Sequence, residues 1–287
     1  MPSYDSTSQN SKGCIHSFIL DENGLTQAWV HDNDGEIKNK VVPFQFEDSE
    51  NCVRLVSGSF DGYLSYFDAA IGKVLCRRND LGGAIKADPC LLPRDCTNEQ
   101  KVLVASCSWK GSVTCVSFST DSFKYLWKLD LWTAIYSTPE IFSGTNVIAT
   151  CGIDGNVRGL DVDSGEIKWC TTTTEDRPIF SKCRQSGRYI VFGSHDGSFR
   201  CIDANGIIQW QKKANAPILS SALASNDKLA FADISGKVHV IGVNGEPLGS
   251  PLSLEAEIFG SPTQIHDNQM LIGCRDSKLH LLQLSQR

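Results

Sequence analysis

Short apolar runs alternate with turn dipeptides along most of the chain. Each copy reads as an apolar run, a small-residue pair, a turn pair and a second apolar run. The clearest copies have Asp61-Gly62, Asp154-Gly155 and Asp196-Gly197 as their turn pair, and weaker ones have Lys110-Gly111, Ser235-Gly236 and Asp276-Ser277. The second turn residues are 49, 44, 42, 39 and 41 positions apart. A period in this range predicts an array of small sheets.

Each copy predicts a hairpin followed by a further strand. An Asp-Gly pair between apolar runs is a strong signal for a type I′ turn, which needs positive φ at both central residues. A second turn follows at Gly72, Gly165, Gly206 and Gly245. Four residues beyond these turns stand Cys76, Trp169, Trp210 and Gly249, with Trp127 near the same position in the second copy. This pattern predicts an outermost strand anchored by a large ring.

A fourth run recurs between copies and begins with isoleucine, at Ile85, Ile135, Ile179, Ile218 and Ile258. Small residues follow two and three places later in most copies, as expected for an innermost strand where backbones crowd. The first unit, at Val41, lacks this pattern. Four antiparallel strands per repeat predict an all-β fold, a β-propeller of six or seven blades, with part of an eight-bladed ring as the alternative.

Residues 1–13 are polar and predicted to be a disordered tail, with the propeller spanning residues 14–287. The last repeat lacks an outermost strand, and the segment from Leu25 to His31, which contains Trp29, is predicted to supply it by pairing with residues 279–284. No apolar stretch has the length of a signal peptide core or a membrane span, so no membrane partner is expected.

Charge and cysteine usage narrow the partners and the compartment. The net charge is −6, from 27 basic and 33 acidic residues without basic blocks, which disfavours nucleic acid as a partner. The 12 cysteines are scattered, with none adjacent and no Cys-x-x-Cys, so paired zinc ligands are not expected. Together with the lack of an Asn-x-Ser/Thr sequon, this predicts a reducing, cytoplasmic location.

The segment from Asp161 to Trp169 resembles the repeat of quinoprotein dehydrogenases, the PQQ repeat, and Asn205 to Trp210 is a second close match. Within that family the chain is similar to the C-terminal propeller of the β-alanine-activating, aminoadipate-semialdehyde dehydrogenase-like branch of the acyl-CoA synthetase family. This likeness is carried by residues 160–169, 178–181, 192–196 and 271–276. It implies an all-β propeller that acts beside an AMP-forming adenylation domain and a carrier domain.

Neither of those domains has its motif in this chain, so the adenylating activity is not assigned to it. The expected function is non-catalytic, an interaction or regulatory propeller whose protein partner carries adenylation and carrier domains. Two alternatives stay open, namely a quinone- or metal-dependent oxidoreductase on the same scaffold and a general scaffold for protein complexes. The PQQ resemblance implies a quinone stacked between a tryptophan and a disulfide of two adjacent cysteines. This chain has no adjacent cysteines and cannot form that disulfide, so no cofactor is expected.

Single residues give weaker signals. His195 precedes Asp196 and could act as a base, but Phe60 and Ile153 hold its position in other copies, which favours a turn role. The recurrent turn residues Asp61, Asp154, Asp196 and Asp276 favour turn formation over a cation-binding ring. His239 and His280 are expected to flank strands. No catalytic, cofactor-binding or metal-ligating residue is therefore assigned.

Two loops, Thr171 to Arg177 and Arg77 to Asp80, enter innermost strands. Loops on the rim of a rigid scaffold can bind partners, whereas a solvated connection is the simpler interpretation.

Overall fold

The computed structural model describes residues 12–22, 24–46, 52–93, 99–120, 122–173, 176–225, 227–266 and 269–283. Within these ranges the strands form seven antiparallel sheets, and no α-helix occurs. Five sheets have four strands, which confirms the predicted unit. The chain divides into two compact units after Asp130. Residues 1–11 of the predicted tail lie outside the described residues, and Gly13 already belongs to a strand.

The first unit begins with a two-stranded sheet, β1 (Gly13–Asp21) and β2 (Gly24–Asn33). A four-stranded sheet follows, made of β3 (Val42–Gln45), β4 (Val53–Gly58), β5 (Leu64–Asp68) and β6 (Val74–Arg78). The next contains β7 (Cys90–Leu91), β8 (Gln100–Ala105), β9 (Ser112–Phe118) and β10 (Phe123–Asp130). In both four-stranded sheets the strands follow one another in chain order.

The second unit repeats this pattern. Its first sheet consists of β11 (Glu140–Ile141), β12 (Val147–Cys151), β13 (Asn156–Asp161) and β14 (Ile167–Thr172). The second consists of β15 (Arg184–Ser186), β16 (Tyr189–Gly193), β17 (Ser198–Ile202) and β18 (Ile208–Lys213). The third consists of β19 (Leu223–Ser225), β20 (Lys228–Ala232), β21 (Lys237–Gly242) and β22 (Leu252–Ser253). The last consists of β23 (Thr263–His266), β24 (Gln269–Gly273) and β25 (Leu279–Gln283).

The prediction that Leu25 to His31 completes the last sheet is wrong. That segment lies in β2, which pairs with β1 through Leu20↔Leu25 and Ile15↔His31. The last sheet has three strands among its described residues, in the order β23-β24-β25. Two strands that are neighbours in sequence close only a short loop when they pair, which costs less chain entropy than a pairing between distant segments.

The predicted hairpins are present, but the predicted turn type is wrong. Gly62 has φ 89°, whereas no aspartate of the turn pairs is among the described non-glycine residues with positive φ. The Gly62 N–H donates to Ser59 O at 3.0 Å, and the Ser59 N–H donates to Tyr63 O at 2.9 Å. This is the three-residue loop in which a left-handed glycine closes a turn as a bulge, so only one residue needs positive φ.

The isoleucines of the recurring runs are buried, but the runs precede the paired innermost strands that they were predicted to form. Each of the five isoleucines has 0% exposed surface. Strand β15 begins at Arg184, five residues after Ile179. The small residue explains the gap, because Ser181 Oγ donates to Gly193 O at 2.9 Å and accepts from Gly193 N at 2.8 Å. A serine hydroxyl thus satisfies the strand-end backbone that a ladder would otherwise pair.

Three tryptophans each hydrogen-bond to the backbone of the following sheet. Trp169 donates its indole N–H to Ala204 O at 2.7 Å, and a Cβ at Gly206 would lie 2.5 Å from the ring. Trp210 donates to Val243 O at 3.0 Å. Trp29 donates to Ala69 O at 2.9 Å. Trp29 therefore has the same role as Trp169 and Trp210. Its presence is explained without the predicted pairing of its strand with the last sheet.

Candidate functional site

In the second unit, four carboxylates at or beside these turns are paired with arginine or histidine side chains of the same hairpin. Asp154 binds Arg158, and Asp196 binds Arg200, whose side chain is 1% exposed. The third and last sheets of the second unit use histidine instead, with Asp233 Oδ2 to His239 Nε2 and Asp276 Oδ2 to His280 Nε2 both at 2.9 Å. These carboxylates therefore stabilise their own hairpins, which favours the turn role expected for them.

Two of these aspartates are held ionised. Burial by itself raises the pKa of Asp196, but hydrogen bonds from the Arg200 guanidinium and the Ser198 N–H outweigh it, and the pKa lies below its ordinary value. The pKa of Asp154 is lowered in the same way, because Arg158 and Asn156 outweigh burial. A carboxylate with a lowered pKa is a poor proton acceptor at neutral pH, so neither suits general base catalysis.

The geometry does not join His195 to Asp196 as a catalytic pair. The Asp196 carboxylate accepts from Ser198 N at 2.7 Å and binds Arg200, while the His195 backbone N–H donates to Pro178 O at 3.0 Å. The same turn position in the first unit holds Phe60 and Trp109, which are 43% and 70% exposed. This position therefore presents a varied side chain at the surface.

The segment from Arg77 to Asp80 was predicted to be a loop, but Arg77 and Arg78 belong to β6, and the segment is bound within the first unit. Arg77 stacks on Tyr63 at 3.9 Å and reaches Asp61 at 3.4 Å. The Arg78 hydrogen bond, with a further one from Tyr125, lowers the pKa of Asp80 to about 2. Burial and the hydrogen bond to Asp80 raise the pKa of Tyr125 to about 12. These internal contacts favour a structural role for the segment.

The second predicted loop is only partly described, because residues 174–175 lie outside the described residues. Thr171 and Thr172 belong to β14 rather than to a loop, and two of the described threonines bind backbone. Thr171 Oγ donates to Gly206 O at 2.6 Å, and Thr173 Oγ donates to Gly155 O at 2.7 Å. These residues also join neighbouring parts of the scaffold.

The structure brings two thiols together that the sequence separates. Cys151 Sγ and Cys183 Sγ lie 3.1 Å apart, and both residues are buried. The hydrogen bond to Cys151 and burial raise the pKa of Cys183 well above its ordinary value. A quinone would need an exposed sulfur pair to stack on, so this buried pair does not fit a quinone site.

A row of large side chains, exposed or half-buried, follows the buried isoleucines of the second unit. The row comprises Tyr136, Phe180, Leu219 and Phe259, each directly after an isoleucine. Phe180 and Phe259 are 37% and 44% exposed, and the Tyr136 and Phe180 ring centroids lie 5.7 Å apart. The row was not predicted, although a large residue directly after each isoleucine is the sequence pattern that indicates it.

Serine hydroxyls place neighbouring runs of this row side by side. The Lys182 N–H donates to Ser221 Oγ at 2.9 Å, and the Ser221 N–H donates to Ser261 Oγ at 2.9 Å. Because these bonds join the runs at equivalent positions, Phe180, Leu219 and Phe259 occupy the same register on adjacent runs. These three side chains therefore share one face. We call them, together with Tyr136, the inner-strand row.

Trp132 lies near the start of the first of these runs. It is 64% exposed and has φ 57°, a conformation that bulky residues rarely adopt. Strained residues persist where the surrounding structure holds them and cluster at functional positions. Trp132 is therefore a candidate functional position in its own right.

A separate groove opens where the repeat tryptophan is replaced. Gly249 stands at that position, and β22 pairs with β21 only through Lys237↔Ser253 and Val238↔Leu252. A cavity of about 320 Å³ lies there, with Lys213, Lys237 and His239 among its lining residues. The missing ring therefore leaves a basic groove on the outer strands, distinct from the inner-strand row.

Comparison with known proteins identifies the family. The PQQ_2 family model, described as outer membrane protein assembly factor BamB, matches residues 60–246, more than half of the chain. The chain belongs to the PQQ_2 family. The PQQ-repeat resemblance inferred from the Asp161 to Trp169 segment is thereby confirmed.

Several β-alanine-activating enzymes match parts of this PQQ_2 chain. The human enzyme is 32% identical over 106 residues, which are 34% of this chain and 10% of the enzyme. The Drosophila melanogaster enzyme is 26% identical over 180 residues, which are 58% of this chain and 18% of the enzyme. The chain thus matches less than a fifth of the length of these relatives.

Solved structures confirm the propeller fold. BamB from Moraxella catarrhalis has a TM-score of 0.64 at 15% identity, covering 86% of this chain and 72% of that one. Sqt1 from Saccharomyces cerevisiae has a TM-score of 0.75 at 14% identity, covering 96% and 79%. At these identities the likeness concerns the fold alone. Across the described part of the chain, no helix has the length and apolarity needed to cross a bilayer.

Proposed function

We propose that this PQQ_2 propeller is a non-catalytic interaction domain whose partner is an acyl-activating enzyme of the β-alanine-activating kind. The partner segment is an adenylation domain with its carrier domain. We further propose that it acts in the cytoplasm, where thiols such as Cys151 and Cys183 stay reduced.

The observation that carries this proposal is the inner-strand row. Aromatic side chains are enriched at protein interfaces and supply much of their binding energy, because they bury large areas with few rotatable bonds. Phe180 and Phe259 are substantially exposed, although the isoleucine before each of them is fully buried. A rigid scaffold that holds large rings at its surface suits recognition of another protein.

The relatives support the choice of partner. The matching enzymes are named for activation of β-alanine, and the matched segment is a minor part of their length. The family model is described as an assembly factor, which is a role in protein association. The turn carboxylates Asp154 and Asp196 are engaged by Arg158 and Arg200, which favours a structural role for them.

The test is a binding titration with purified proteins. The full chain is titrated with the adenylation and carrier segment of a β-alanine-activating enzyme, and the dissociation constant is measured by calorimetry. We expect Phe180→Ser and Phe259→Ser each to weaken binding by about tenfold or more, as substitution of an interface anchor does.

The matched controls are Ile167→Ser and Ile207→Ser, because these side chains are 49% and 58% exposed and lie outside the row. They should bind as the unaltered chain does. The proposal fails if the unaltered chain does not bind the segment, or if the control variants weaken binding as much as the row variants.

A further inference from the structure

The last hairpin differs from the β16–β17 hairpin at two chemically important positions. In the β16–β17 hairpin the second turn residue is Gly197. Ser194 stands three places before it, Asp196 one place before it and Arg200 three places after it. At the same offsets from Ser277 the chain has Cys274, Asp276 and His280. A hydroxyl has become a thiol and a guanidinium has become an imidazole. Both changes replace a group that does not bind zinc with one that does.

The three side chains are close enough to bind one ion. The Cys274 sulfur, an Asp276 carboxylate oxygen and a His280 ring nitrogen all lie within 4.8 Å of one another. All three residues are partly buried, so the cluster is held by the fold and remains accessible. With zinc bonds of about 2.0–2.3 Å, a tetrahedral centre separates its ligand atoms by about 3.3–3.6 Å. Only small side-chain movements are needed to reach that geometry.

The turn between these residues is strained. Ser277 has φ 62°, and glycine takes this position in every other copy of the turn. A serine in the left-handed region is held there by its surroundings at an energetic cost. The Lys278 N–H donates to Asp276 Oδ1 at 3.0 Å, and His280 Nε2 lies 2.9 Å from Asp276 Oδ2. The carboxylate is thereby oriented before any ion arrives.

The Asp276–His280 hydrogen bond of 2.9 Å must open for both side chains to face one ion. The other contacts of the cluster are weaker or involve an exposed side chain. Cys274 Sγ donates to Ala256 O at 3.1 Å and lies 3.6 Å from Glu257 O. Lys278 Nζ lies 3.7 Å from Asp276 Oδ2, but its side chain is 65% exposed. An exposed lysine can turn into solvent when a cation binds, and a thiol bonded only to carbonyl oxygen can release its proton to become a ligand.

We propose that Cys274, Asp276 and His280 bind a divalent zinc ion, with a solvent molecule or a partner's side chain as the fourth ligand. The mixed sulfur, nitrogen and oxygen set suits zinc rather than calcium or magnesium, which prefer oxygen ligands only. Three protein ligands leave one position open. This proposal is independent of the inner-strand row and stands or falls separately from it.

The preceding sheet offers a matched control. Asp233 and His239 form the same kind of pair, again 2.9 Å apart, within a hairpin that has the same strand order. There the thiol is absent, because Asp233 itself holds the position equivalent to Cys274. A site that needs the thiol should therefore form only in the last hairpin.

The experiment uses the full chain stripped with chelator and kept reduced. Zinc binding is measured by calorimetry, and cobalt is used as a spectroscopic substitute whose sulfur-to-metal absorption band reports a thiolate ligand. We expect one ion to bind, and Cys274→Ser, Asp276→Asn and His280→Gln each to weaken it by about 100-fold or more. Loss of a direct ligand should exceed the 10–100-fold cost of losing an outer-shell partner. The His239→Gln control should bind as the unaltered chain does.

Four outcomes overturn the proposal, three of them from the titrations and one from a titration with its thermal melt. The first is failure of the unaltered chain to bind zinc. The second is unchanged affinity in Cys274→Ser, which would place the ion on other cysteines. The third is an equal loss in His239→Gln. Thermal melts of the metal-free variants accompany each titration. A His280→Gln protein that melts like the unaltered chain and still binds zinc fully also contradicts the assignment.

Discussion

The β15–β18 sheet and the β23–β25 sheet contain the same sequence repeat, yet equivalent residues of the two sheets are buried to different extents. Phe199 and Leu279 occupy equivalent positions two residues after the turn, but Phe199 is 0% exposed and Leu279 is 74% exposed. Every residue of β17 is buried, whereas exposed and half-buried residues alternate in β25. The sequence repeat determines the strands and their turn, whereas the neighbouring sheets determine which side chains are buried.

Contacts with the following sheet explain the difference. Phe199 stacks on Phe231 of β20, with ring centroids 4.1 Å apart. The Asp196–Arg200 pair is also enclosed, with both side chains no more than 2% exposed. In the last sheet the His280 side chain of the equivalent pair is 24% exposed. Burial of one hairpin is thus a property of the array rather than of the hairpin.

The sharpest test of this comparison is truncation at the paired positions. Phe199→Ala should lower the free energy of unfolding by about 3–5 kcal/mol, because it leaves a cavity in a packed core. Leu279→Ala should change it by less than about 0.5 kcal/mol, as expected for an exposed side chain. Urea denaturation followed by circular dichroism measures both. A loss above about 2 kcal/mol for Leu279→Ala would show that another surface covers β25 in solution.

The next test removes the buried cation. Arg200→Leu should cost about 3 kcal/mol, since it leaves the Asp196 carboxylate buried without its partner. His280→Leu, measured in chelator, should cost far less because solvent reaches its pair. Denaturation midpoints at neutral pH give both values. Equal losses would mean that the two pairs are equally enclosed.

A smaller loss is expected at the tryptophan that covers the β15–β18 sheet. Trp169→Ala should cost about 2 kcal/mol, because the ring is half-buried but packs on Gly206. Trp169→Phe keeps most of the ring and removes the hydrogen bond to Ala204, so it should cost about 1 kcal/mol. If the phenylalanine variant is the less stable of the two, the covering role is wrong.

The smallest effect concerns acid. Asp196 has a pKa below its ordinary value near 3.8, so its contribution to stability is complete above about pH 4 and is lost as the pH falls further. Arg200→Leu removes the cause of the lowered pKa, so this variant should lose less stability between pH 5 and pH 3 than the unaltered chain. Urea midpoints across that range test the difference. Parallel curves would contradict the assigned cause.

Local signals were predictable where short-range chemistry decides the outcome. The 39–49 residue steps, the turn glycines and the isoleucines identify the sheets and much of their core. Trp169 and Trp210 were assigned to outermost strands from spacing alone. The turn type was not, because an Asp-Gly pair is compatible with more than one hairpin loop and the register of the flanking strands selects among them.

Properties that depend on neighbouring sheets required the tertiary structure. The sequence by itself determined the repeat, the all-β class and the PQQ family. Only the structure showed that Cys151 meets Cys183, that Phe180 and Phe259 share a face, and that Cys274, Asp276 and His280 converge. The alternation of apolar and turn residues is local, so it can be recognised in the sequence. Contacts between residues that are distant in sequence depend on how the sheets pack together. The free energy of that packing is distributed over many residues that share no local pattern.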